Sequence, residues 1–120
     1  MDIMIVDDAM FMRAVLKNMV EKGGHTVVSE AGTVDEAVRN YKSLPKKPDV
    51  VLMDITMPNK DGIEGVKELI QINPDIKIIM CSAMGQQAMV VDAMKAGARD
   101  FLVKPVEEQR LIDAITKIAG

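Results

Sequence analysis

Residues 50–58 read Val50-Val51-Leu52-Met53-Asp54-Ile55-Thr56-Met57-Pro58. Four consecutive apolar residues ahead of the first charge describe a strand covered on both faces, because a half-solvated strand would alternate apolar with polar. Four more short apolar runs flank it: Ile3 to Val6, Val27 to Ser29, Ile76 to Met80 and Phe101 to Val103. The first and fourth along the chain are nearly as continuous as residues 50–53. Strands of this kind belong to a parallel sheet with helices on both sides.

The intervening segments carry helical patterns. From about Ala9 to Lys22, Met12, Val15, Leu16, Met19 and Val20 recur at three- and four-residue spacing, and Gly23-Gly24 ends the pattern. Thr33 with Glu36 forms a capping box opening a helix that stops before Pro45. A third helix is expected from Gly62 to about Ile72, a fourth from Gln86 to Ala96, and a fifth from Glu107 to Ala119. The order is (βα)5 with short connections, a doubly wound α/β fold in one domain spanning residues 1–120.

In such folds chemistry sits beyond the carboxyl ends of the strands. Asp7-Asp8 follows the first strand, Asp54 the third, Ser82 the fourth and Lys104-Pro105 the fifth. Each has an ordinary structural role open to it. Asp8 is a candidate helix cap, Asp54 an Asx-turn, Ser82 a cap or turn residue, and Lys104 a surface residue before a proline. Together they bring three carboxylates, a hydroxyl and an ammonium to one rim. Crowded carboxylates raise one another's pKa, and a hard dication relieves that. Mg²⁺ suits a site with few carboxylates and room for a phosphoryl oxygen, and a lysine opposite supplies a second counter-charge. A carboxylate can itself attack phosphorus and form an aspartyl-phosphate.

Composition narrows the function classes. The formal net charge is -3, which disfavours a nucleic-acid surface. Lys46-Lys47 reads as a solvated turn. No apolar run approaches the roughly 20 residues that span a bilayer, and no basic leader precedes Asp2, so neither a membrane partner nor export is expected. The single cysteine, Cys81, allows no internal disulfide and reads as a buried small hydrophobe; a cytoplasmic location fits. Aromatics are limited to Phe11, Tyr41 and Phe101, and eleven methionines take up core volume.

Ile5-Val6-Asp7-Asp8, Met53-Asp54-Ile55-Thr56-Met57-Pro58 running to Asp61-Gly62, Cys81-Ser82-Ala83, Gly97-Ala98 and Asp100-Phe101-Leu102-Val103-Lys104-Pro105 together resemble the response regulator receiver domains. The resemblance covers essentially the whole chain. Asp7 to Arg13 and Cys81 to Gln87 resemble the single-domain chemotaxis regulators within that family. The resemblance implies a flavodoxin-like sheet of order 2-1-3-4-5 and two-component phosphorelay signalling. It implies Asp54 as the phosphoacceptor for a histidine kinase. Asp8 would be a direct Mg²⁺ ligand and Asp7 one acting through water, with Asp54 and the main-chain carbonyl of Thr56 completing the protein ligands. Ser82 and Lys104 would bind the phosphoryl group, Ser82 and Phe101 would form the switch, and the Lys104-Pro105 bond would be cis. A downstream target would read the face of helix four, strand five and helix five, where Gln86, Gln87, Val90 and Met94 stand; their alternative is plain helix packing. Phe101 departs from the family's tyrosine and has no hydroxyl. The resemblance also implies that Thr56 and Met84 stand at the two variable positions that tune hydrolysis in this family.

The chain is therefore expected to be a signalling domain rather than an enzyme. Three alternatives remain at this point. A Mg²⁺-dependent phosphatase with an aspartyl nucleophile would want a second aspartate where Thr56 stands. A flavin-binding module would want a Ser/Thr/Gly-rich phosphate loop in place of Asp7-Asp8. A receiver belonging to a longer regulator with an output domain would share every motif above.

Overall fold

The computed structural model describes residues 1–119. Five strands alternate with five helices: β1 Asp2–Val6, α1 Met10–Lys22, β2 Thr26–Ala31, α2 Val34–Ser43, β3 Val50–Asp54, α3 Gly62–Ile72, β4 Ile78–Ser82, α4 Gln87–Ala96, β5 Asp100–Val103 and α5 Glu108–Ala119. The strands are all parallel and lie in the order β2-β1-β3-β4-β5.

The continuous apolar runs divide between two cores by strand alternation. Met4, Val6, Val51, Met53, Ile78 and Met80 face α2, α3 and α4, where Val34, Ala37, Tyr41, Val66, Leu69 and Ala93 meet them. Ile3, Ile5, Val50, Leu52, Ile79 and Cys81 face α1 and α5 and pack on Leu16, Val20, Leu111, Ala114 and Ile115. Each fully buried Val, Leu or Ile contributes roughly 1.5–3 kcal/mol, so both faces drive folding.

Capping follows the sequence. The Thr33 hydroxyl accepts from Glu36 N at 3.1 Å, and Glu36 reaches back to Gly32 N at 3.3 Å. Asp61 caps α3 by accepting from Glu64 N at 3.0 Å. The Lys104-Pro105 peptide is cis.

Several boundaries and roles differ from expectation. β4 begins at Ile78 because Asn73 turns the chain first: its side chain accepts from Asp75 N at 3.0 Å and its carbonyl from Ile76 N at 3.1 Å. Ile76 is still only 3% exposed, packed beneath that turn. β2 is longer than its apolar run, since pairing with β1 carries Thr26, Glu30 and Ala31 along at the sheet edge, past a register shift between Ile3 and Met4. Asp54 and Ser82 are the last residues of their strands rather than the first beyond them. Lys47 is not merely solvated: its ammonium caps α2 by donating to the carbonyls of Tyr41, Lys42 and Leu44 at 2.6, 3.1 and 3.1 Å. Among the described residues, no helix is long and apolar enough to cross a membrane.

Candidate functional site

Asp7 leaves the end of β1 with its backbone held on both sides. Its N–H donates to Ala31 O at 3.0 Å, and its carbonyl accepts from Arg13 Nη1 at 2.6 Å. The side chain is 1% exposed. One carboxylate oxygen accepts from Ala9 N at 2.9 Å, an Asx-turn; the other lies 3.2 Å from Lys104 Nζ. Asp8 is exposed and does not cap α1, because Ala9 holds the N-cap position. Its carboxylate is left free to join the cluster.

Asp54 is 7% exposed, and its Oδ1 lies 3.3 Å from Lys104 Nζ. Ligand atoms of Asp7, Asp8 and Asp54 all lie within 4.8 Å of one another, near enough to share a metal ion. Burial and then the Asp7 charge push the Asp54 carboxyl above the usual carboxylate range, against the downward pull of Lys104 and the Thr56 main-chain N–H. For Lys104, burial favours the neutral amine, but Asp54 and Asp7 outweigh it and hold the ammonium above its ordinary value. One cation thus pairs with two of the three clustered carboxylates. The donors are hard oxygens on a partly open rim, and the site fits a small divalent cation.

Ser82 is buried, and its hydroxyl donates to Leu102 O across a long 3.4 Å contact. Phe101 is turned outward, 38% exposed. Both line one apolar groove of about 760 Å³, with Met84, Val90, Val91 and Met94. Val90 is buried and packs in the core as well as bordering the groove, which Met94 and Gln87 also line. Gln86 instead bridges two loops: its Nε2 donates to Thr56 Oγ1 at 2.6 Å and its Oε1 accepts from Ala83 N at 2.7 Å. Cys81 lies fully buried beneath the rim, and burial pushes its thiol up to about 12, a value that keeps it an inert hydrophobe at neutral pH.

Three residues inside the quoted stretches have structural roles that the motifs did not announce. Arg13, fixed by Glu30 at 3.4 Å, orients the Asp7 peptide. Gln86 joins loops distant in sequence. Gly62 packs against the Asp54 backbone: a Cβ there would collide with the Asp54 carbonyl oxygen and lie 2.8 Å from Ile55 Cα. Neither is a flexible side-chain end. Gly62→Ala should therefore destabilise by roughly 2–3 kcal/mol in urea denaturation. A loss below about 0.5 kcal/mol would show that the loop yields freely.

The model of the response regulator receiver domain matches residues 3–116. The chain belongs to the response regulator receiver family. This receiver is 54% identical over 117 residues to the chemotaxis protein CheY of Thermotoga maritima, covering 98% of this chain and 96% of that protein. It is also 54% identical to CheY of Bacillus subtilis, over 96% of this chain and 94% of that one. Among solved structures, a chain in the CheX–CheY–BeF3–Mg²⁺ complex of Borrelia burgdorferi superposes with a TM-score of 0.91 at 31% identity, covering 98% of this chain and 87% of that one. The receiver is a two-component signalling domain, and its five-stranded flavodoxin-like sheet has the order expected of that family.

Proposed function

We propose that this receiver stores a phosphoryl group on Asp54, received from a histidine kinase, and passes that state to a partner in a chemotaxis pathway of the cytoplasm. The observation that carries this reading is the Asp54 carboxylate, nearly buried, 3.3 Å from the Lys104 ammonium and grouped with Asp7 and Asp8. Full-length similarity to two chemotaxis CheY proteins supports the pathway.

An Asp54 carboxylate oxygen attacks phosphorus, the new O–P bond forms, and the P–N bond to the donor imidazole breaks with its electron pair left on nitrogen. Lys104 neutralises charge on the incoming oxygens and aims the carboxylate. Asp7, Asp8, Asp54 and the main-chain carbonyl of Thr56 would hold Mg²⁺, which supplies charge neutralisation to the transferring group. The Ser82 hydroxyl, held only by its long bond to Leu102, is free to turn toward the new anion. Phe101 then has room to move inward and remodel the groove between α4 and β5. With no hydroxyl, Phe101 makes that move on packing alone. The partner reads this face together with α5.

The phosphatase reading is weaker. Thr56 stands where a general acid would be needed, and its hydroxyl already accepts from Gln86. Acetyl phosphate with Mg²⁺ should give an acid-labile, borohydride-trappable adduct on the protein, and no sustained turnover of phosphomonoesters. Absence of the adduct, or turnover without it, overturns the proposal. EDTA should slow adduct formation on the order of 100-fold, because one cation cannot balance three carboxylates and a phosphate. A rate unchanged by EDTA would remove the metal from the mechanism.

A further inference from the structure

The side chain of Gln86 spans the mouth of the site, and strand geometry shows what it occupies. Successive strand residues direct their N–H and C=O groups to opposite neighbours. The Cys81 carbonyl accepts from Ile55 N on the β3 side at 3.1 Å, and the Ser82 carbonyl accepts from Lys104 N on the β5 side at 2.7 Å. The next N–H directed toward β3 is that of Ala83, level with the loop that follows Asp54. Strand pairing between β3 and β4 ends at Asp54 and Cys81. The Ala83 N–H is taken instead by Gln86 Oε1 at 2.7 Å, while the other end of the same carboxamide donates to Thr56 Oγ1 at 2.6 Å. Gly85, at φ +91°, makes the reversal that returns Gln86 onto Ala83.

We propose that Gln86 is a strap that holds the unphosphorylated state, tying the β4–α4 loop to the β3–α3 loop through the Ala83 N–H and the Thr56 hydroxyl. This rests on the reading of Asp54 as phosphoacceptor. An anion built on Asp54 competes for the Ala83 N–H, since that donor lies on the Asp54 side of β4 and has no strand partner. Gln86 must release it, and Thr56 with it, before Ser82–Ala83 can close on the anion. Gln86 therefore opposes activation by about the worth of one neutral hydrogen bond, or roughly fivefold in an equilibrium.

The test uses the whole chain with beryllofluoride and Mg²⁺ as a phosphoryl mimic. Gln86→Met keeps side-chain length and removes both hydrogen bonds. It should bind beryllofluoride about fivefold more tightly than the unaltered protein. Without ligand, the Ala83 amide should exchange with solvent faster in Gln86→Met, a readout independent of phosphorylation. In a Thr56→Val background the gain from Gln86→Met should shrink; a full gain there overturns the two-ended strap. Unchanged or weaker beryllofluoride binding by Gln86→Met, with normal binding by the unaltered protein, overturns the strap alone. Failure of the unaltered protein to bind beryllofluoride overturns the phosphoacceptor reading and the strap with it.

Discussion

Asp54→Ala abolishes labelling by acetyl phosphate and Mg²⁺, with no detectable borohydride-trappable adduct remaining. The other acidic groups of the rim are poor substitutes. Asp7 is 1% exposed, with one oxygen bonded to Ala9 N and the other facing Lys104, so an approach to phosphorus would break either the turn after β1 or the pairing with Lys104. Asp8 is exposed and makes no ion pair with Lys104, whose ammonium meets Asp7 and Asp54. Labelling that survives at even a tenth of the normal level would move the nucleophile elsewhere.

The same carboxylate works against folding. Its folded-state pKa is raised, so the native protein holds that proton more tightly than the unfolded chain does. Stability linked to Asp54 is therefore present below the unfolded value of 3.8 and is lost as pH rises through the higher folded value. At pH 7, without metal, Asp54→Asn should raise stability, seen as a higher Tm in thermal denaturation. The gain should vanish at pH 3 and shrink when Mg²⁺ is added, because the metal stabilises the native protein that binds it. A site that lowers stability to hold ionised carboxylates together is a site shaped by function.

The parts of this structure that could be read from sequence are those governed by alternation and by residue type at strand ends. Val50 to Met53 and Ile78 to Met80 are apolar throughout because their odd and even members feed two separate cores. That fact gave both the parallel sheet and the rim on which Asp7, Asp8, Asp54 and Lys104 meet. What escaped depends on side-chain direction within irregular segments. Ile76 is as buried as a strand residue, and only the Asn73 turn reveals that it lies outside the ladder. Gln86 fits a helix start by pattern, yet the turn at Gly85 sends its carboxamide across the site to Thr56. Arg13 falls in the first turns of an amphipathic helix, and nothing in its spacing announces a bond to the Asp7 carbonyl.

Lys104→Met should injure both chemistry and stability, and the two effects separate by pH. Lys104 Nζ lies 3.2 Å from Asp7 and 3.3 Å from Asp54, and its side chain is 24% exposed. Removing one partner of a buried ion pair costs about 3–5 kcal/mol. Partial exposure of the amine lowers this to about 2 kcal/mol at pH 7, measured in urea without metal. The raised Lys104 pKa places its own contribution below the unfolded value of 10.5, fully present at neutral pH and lost only as pH climbs through the folded value. On the acid side the deficit should shrink, because Asp54, with its carboxyl already shifted upward, takes a proton instead of standing unpaired. Asp54→Asn in the Lys104→Met background should recover much of the lost stability, since it removes one of the two carboxylates left without a cation. Phosphorylation should behave differently. With acetyl phosphate the rate should fall on the order of 100- to 1000-fold, and Mg²⁺ should not restore it, because a metal held by the carboxylates would not replace the ammonium that Lys104 places 3.3 Å from Asp54 Oδ1. Lys104→Arg should rescue stability better than rate: the guanidinium restores the charge, but its planar fork does not reproduce a compact ammonium between two carboxylates. A stability loss within 0.5 kcal/mol together with a normal labelling rate would return Lys104 to an ordinary surface lysine ahead of a proline. It would also leave the grouping of three carboxylates without the cation that makes it a phosphoryl site.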